Sequence, residues 1–90
     1  MFLLCGPSTK LTANTGAENT AMGSNALDAN TTAANNVAVG YVALGTSTTG
    51  AENTAVGNYA LANSTVDGNT AVGYAACQGN TTGNGNVGIG

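Results

Sequence analysis

The chain has 90 residues and a formal charge of -3, with a single lysine, no arginine and no histidine. That composition offers no basic footprint for nucleic acid, none of the usual imidazole bases or metal ligands, and no apolar run long enough to cross a bilayer. Val, Leu, Ile and Phe supply only 15 residues while Ala, Gly, Thr and Asn supply 57, which disfavours a conventional globular core and suits closely stacked backbone.

One short motif recurs along the chain. It reads Asn19-Thr20-Ala21-Met22-Gly23, Asn36-Val37-Ala38-Val39-Gly40, Asn53-Thr54-Ala55-Val56-Gly57, Asn69-Thr70-Ala71-Val72-Gly73 and Asn86-Val87-Gly88-Ile89-Gly90, with glycine-to-glycine steps of 17, 17, 16 and 17 residues. A fixed period of this length is the signature of a solenoid, in which each unit contacts only its neighbours. The pattern predicts an all-β fold: one parallel β-solenoid domain over residues 1–90, of about five 16–17-residue coils beginning near residues 2, 19, 36, 53, 69 and 86.

In the first coil, Phe2-Leu3-Leu4-Cys5-Gly6 reads as a degenerate copy, found by stepping 17 residues back from Gly23. Pro7 and Ser8 then form a turn, and Lys10 stands where later coils carry leucine. The next four coils each place an apolar pair after the motif, Ala26-Leu27, Ala43-Leu44, Ala60-Leu61 and Ala76-Cys77, followed by a polar loop rich in Thr, Asn and Gly. The fourth coil is one residue short, most simply within that loop.

Strand side chains alternate between faces. Thr20, Val37, Thr54, Thr70 and Val87 therefore share a face with Met22, Val39, Val56, Val72 and Ile89, while Ala21, Ala38, Ala55, Ala71 and Gly88 point the other way. Since larger apolar residues usually fill interiors, the expectation is that the Val/Met/Ile column packs inside with Leu27, Leu44, Leu61 and Cys77. The all-small column then faces either a neighbouring chain at close range or solvent. Asn19, Asn36, Asn53, Asn69 and Asn86 are expected to stack into a structural amide ladder, each side chain bonding the next at about 4.8 Å per step. Gly23, Gly40, Gly57, Gly73 and Gly90 supply bends.

No catalytic, cofactor or metal site is legible. Glu18, Glu52, Asp28 and Asp67 are too scattered for a calcium site or an acid pair. Cys5 and Cys77 fall four coils apart, roughly 19 Å at the usual strand spacing, which is beyond disulfide reach. Asn30, Asn63 and Asn80 each begin a glycosylation sequon in the polar loop.

The segments Asn35-Asn36-Val37-Ala38-Val39-Gly40 and Gly85-Asn86-Val87-Gly88-Ile89-Gly90 resemble the Asn-Ser-Val-Ala-Ile-Gly repeat of trimeric autotransporter adhesin heads of the YadA type. The segments Asn69-Thr70-Ala71-Val72-Gly73-Tyr74 and Asn80-Thr81-Thr82-Gly83 look still more like the repeats of phage tail-fibre-like proteins. The resemblance covers almost the whole chain. It implies a left-handed, oligomeric β-roll, commonly a homotrimer, in an extracellular, cell-surface or virion fibre that presents a surface to a cell-surface or glycan receptor.

A structural fibre module with adhesive potential, and no enzymatic activity, is thus the leading expectation. A passive filament subunit stacked end to end is the alternative, because Gly90 closes a strand without the rest of its coil while residues 2–6 open with an apolar one. An ice-binding solenoid ranks lower, since Val37 interrupts the array of Thr20, Thr54 and Thr70.

Overall fold

The computed structural model describes residues 2–4, as backbone, and residues 15–90. Cys5, Gly6, Pro7, Ser8 and Lys10 lie outside the described residues. The described chain contains no helix. Its strands are β1 (Phe2–Leu4), β2 (Thr20–Met22), β3 (Val37–Val39), β4 (Thr54–Val56), β5 (Thr70–Val72) and β6 (Val87–Ile89). They form a single parallel sheet in sequence order, each pairing only with the next. This is the β-solenoid that the period predicts.

The register follows the repeat. Thr20 pairs with Val37, Val37 with Thr54, Thr54 with Thr70 and Thr70 with Val87. At the first strand the extrapolation is out by one residue, because Leu4 rather than Cys5 partners Met22.

The strands are only three residues long because the chain must turn several times per coil, and it does so through left-handed backbone. After the motif glycine, the second residue (Asn25, Val42, Tyr59, Ala75) and the fourth (Leu27, Leu44, Leu61, Cys77) all have φ between 50° and 63°. Non-glycine residues pay for this conformation. At the leucines the return is complete burial, and the backbone N–H groups still bond across coils, Leu27 to Ala43 O and Leu44 to Ala60 O at 3.0 Å.

Which face lies inside differs from the sequence expectation. Ala21, Ala38, Ala55 and Ala71 are 0% exposed and form the core with Ala26, Ala43, Ala60 and the three leucines. Val39 and Val56 are half-buried on the outer face, and Met22, Val72, Val87 and Ile89 are exposed. Between β2 and β5 the middle strand position encloses nothing larger than a methyl group, and the bulkier apolar side chains of these strands lie on the outer face. The alanine column is accordingly neither solvated nor an interface with another chain.

The asparagines stack, but not by bonding side chain to side chain. Each Oδ1 accepts the backbone N–H of the next asparagine, from Asn19 to Asn36 at 2.9 Å, Asn36 to Asn53 at 2.8 Å, Asn53 to Asn69 at 2.8 Å and Asn69 to Asn86 at 2.9 Å. Each Nδ2 donates to a loop carbonyl: Ala33 O from Asn19, Gly50 O from Asn36 and Val66 O from Asn53, at 2.8, 3.0 and 2.8 Å. Asn69 departs from the pattern and donates instead to Asp67 O, two residues before it, at 3.2 Å. Both halves of a buried amide are thereby satisfied, as a buried polar group requires.

The motif glycines bend and also admit their neighbours. At Gly40, φ is +131° and an added Cβ would lie 2.6 Å from the carbonyl carbon and oxygen of Gly57. Stacked coils leave no room there for a side chain.

Candidate interaction surface

Three sets of outward side chains remain once the interior is assigned. The first two lie on the strand face: Thr20, Val37, Thr54, Thr70 and Val87 in one file, Met22, Val39, Val56, Val72 and Ile89 in the other. Parallel in-register pairing repeats each side chain directly beside its equivalent, so the files are straight and contiguous. Apolar residues predominate, which distinguishes this face from the scattered apolar groups of an ordinary surface.

The third set stands just past the glycine bend. Tyr41, Tyr59 and Tyr74 belong to consecutive coils and pack edge to face, with ring centroids 5.4 Å and 6.1 Å apart and interplanar angles of 86° and 77°. Their chain positions alternate: Tyr41 and Tyr74 directly follow a motif glycine, whereas Tyr59 is second after Gly57. Asn58 occupies the intervening place, and its Oδ1 accepts the N–H of Tyr41 at 2.9 Å. The sequence reading did not single out these residues. The available signal was the recurrence of tyrosine within two places of the same glycine in three coils running.

The acidic residues sit elsewhere on the coil. Glu18 and Glu52 are exposed immediately before the ladder asparagines, at φ 59° and 61°. Asp67 is not an isolated surface charge, since its Oδ1 accepts the N–H of Ala51 at 2.8 Å across coils.

The three sequon asparagines are not equivalent. Asn30 is buried with Nδ2 bonded to Ala33 O at 3.1 Å, and Asn80 closes a small ring with Gly83, donating at 2.8 Å and accepting at 3.1 Å. Asn63 lies one place earlier in its coil and is exposed. The residues aligned with Asn30 and Asn80 in the middle coils are Ser47 and Ser64, both fully buried with hydroxyls lacking a hydrogen-bond partner. The shortening of the fourth coil falls just after Ser64, where Val66 stands two residues on instead of three.

Among the described residues there is no concave pocket and no cluster of metal-ligating side chains. Cys77 is a free thiol in the leucine column, and its Sγ occupies the space a Cβ would need at Gly88. No helix among the described residues is long and apolar enough to cross a membrane. No protein-family model, curated protein or solved structure matches the chain.

Proposed function

We propose that this chain is a structural module of an extracellular or virion fibre, and that it associates side by side with copies of itself, as a trimer, through the outer strand face. The observation that carries this reading is the pair of in-register outward files, Thr/Val beside Met/Val/Ile, on the face opposite the alanine core. The resemblance to adhesin-head and tail-fibre repeats supports the same setting. The correction to the interior moves the association surface: the alanine column is enclosed, and the residues that meet a neighbour are Val39, Val56 and Val72 with the flanking threonines.

Size argues for association that grows with coil number. Strand spacing and rise give the strand face an area of roughly 250 Å², against about 800 Å² per partner in a typical stable complex. Flanking columns must therefore join the contact, and each added coil contributes the same increment. Such additivity suits a fibre, whose cohesion should scale with its length.

The test is solution mass by sedimentation velocity, with electron microscopy, across a wide range of concentration. The expected result is a concentration-dependent trimer that Val56→Asp with Val72→Asp converts into a folded monomer. A wild-type chain that stays monomeric at millimolar concentration would overturn the proposal.

A further inference from the structure

We infer that the tyrosine corner is a binding strip for a neutral polysaccharide chain. The proposal gives the displayed surface of the fibre a ligand class, and it rests on that reading only for its biological setting.

The first argument is the display of the rings. The chain has three tyrosines and no tryptophan, and all three stand on one corner in consecutive coils. Tyr74 is 73% exposed and Tyr41 43%, and none of the three phenol oxygens bonds to another described residue. Tyrosine ordinarily buries its ring and finds its hydroxyl a partner. At Tyr41 and Tyr74 the ring is offered to solvent, with Tyr59 half-buried between them. The edge-to-face contacts hold the rings in place beforehand, which reduces the ordering cost a ligand would have to meet.

The second argument is charge. Residues 19–27, 36–44, 53–61 and 69–77, which carry the strand face and the tyrosine corner, contain no charged residue, and the molecule as a whole is acidic. A phosphate, sulfate or carboxylate would meet no cation there, so nucleic acid and anionic glycans are disfavoured. A polymer of neutral rings with hydroxyl edges fits: its C–H faces pack on aromatic surface, and its hydroxyls reach phenols and amides. Asn58 lies between Tyr41 and Tyr74 in its file, and its amide nitrogen is left to donate while its oxygen holds Tyr41 N–H.

The third argument is linearity. The three rings follow one another in consecutive coils, with centroids 5.4 and 6.1 Å apart, so that an extended polymer can meet more than one of them. The other occupant of an aromatic strip, a second copy of this chain, becomes an outcome of the test.

Because no tryptophan is present, intrinsic tyrosine emission reports on this strip alone. The wild-type chain is titrated with neutral hexasaccharides of the β-glucan, chitin, mannan and α-glucan types, and with heparin as the anionic control, at low and high salt. The expected result is a saturable, salt-insensitive change with at least one neutral sugar. Tyr74→Ala and Tyr41→Ser should each weaken it by about tenfold, the equivalent of one aromatic contact, while Val56→Asp leaves it unchanged. Circular dichroism confirms that the variants fold. The proposal is overturned by a flat response to every neutral sugar, by tighter salt-sensitive binding of heparin, or by undiminished binding in both tyrosine variants. Emission that tracks protein concentration instead of sugar would also overturn it, assigning the corner to contacts between copies. A monomeric wild type would sink the fibre reading while leaving the sugar titration interpretable.

Discussion

Placing one carboxylate at each of two adjacent residues, Ala55→Asp and Val56→Asp, should separate the inner from the outer face of the coil. Ala55 is fully enclosed, with Ala38 and Ala71 as its register partners above and below. An aspartate there is larger than the space and has no cation to pair with, and stranding an unpaired charge in an interior costs about 3–5 kcal/mol. Val56 points outward and is half-buried between Val39 and Val72. Losing its cross-strand contacts and its strand preference should cost about 1 kcal/mol or less. For a domain of this size, each kcal/mol corresponds to about 4–8 °C of melting temperature, so Ala55→Asp should lose about 15 °C or more and Val56→Asp only a few degrees. Melting is followed by circular dichroism at dilutions where the chain is monomeric, because association through the same face would add a concentration-dependent increment to the wild type. Equal losses, or a larger loss for Val56→Asp, would refute the assignment of alanine to the interior.

Four further outcomes are expected in denaturant titrations. Gly40→Ala should cost about 3 kcal/mol or more, because φ is +131° and the new Cβ meets the Gly57 carbonyl. Asn53→Ala should cost about 2–4 kcal/mol, leaving Asn69 N–H and Val66 C=O without their amide partner. Ser47→Asn should stabilise by about 1 kcal/mol, giving Gly50 the amide bonds that Asn80 gives Gly83; Ser64→Asn should give no such gain, since its loop lacks the third residue. Val42→Asn should stabilise by about 0.5–1 kcal/mol, because a β-branched residue at φ 60° is replaced by one that tolerates it, as Asn25 does one coil earlier.

The fold was legible because the repeat is an arithmetic signal: an equal step returns each residue to the same place on the coil. Strand positions follow from it to the residue, from Thr20–Met22 to Val87–Ile89. Inside and outside were not legible by the same route, since alternation sorts side chains into two sets without saying which is enclosed. The usual rule, larger apolar residues inward, fails when the cross-section admits only a methyl group. The sequence does contain the deciding clue: from β2 to β6 the middle strand position never exceeds alanine, whereas the outer positions range over Thr, Val, Met and Ile. A column that is uniformly small is constrained by volume. The left-handed residues Val42, Leu44 and Tyr59 could not be foreseen, because none is a turn former and burial or cross-coil bonding outweighs the local cost. The tyrosine ladder escaped notice because Tyr59 is offset by one place from Tyr41 and Tyr74, and only the folded corner shows that the offset lets the rings interleave.

This division of labour within the coil bears on function. The residues that specify the fold are the inward asparagines, alanines and leucines and the bend glycines, all held by close approach of neighbouring backbone. The outward residues vary from coil to coil, Thr20 against Val37 or Ser24 against Tyr41, Asn58 and Tyr74. An interior of alanine cannot hide valine or methionine, so a narrow solenoid places its larger apolar groups on the surface, where they are available to partners. Strand-face substitutions should consequently alter association, and substitutions at the tyrosine corner sugar binding, while leaving the coil intact. Inner substitutions should abolish both together, by removing the scaffold that sets the spacing of the files.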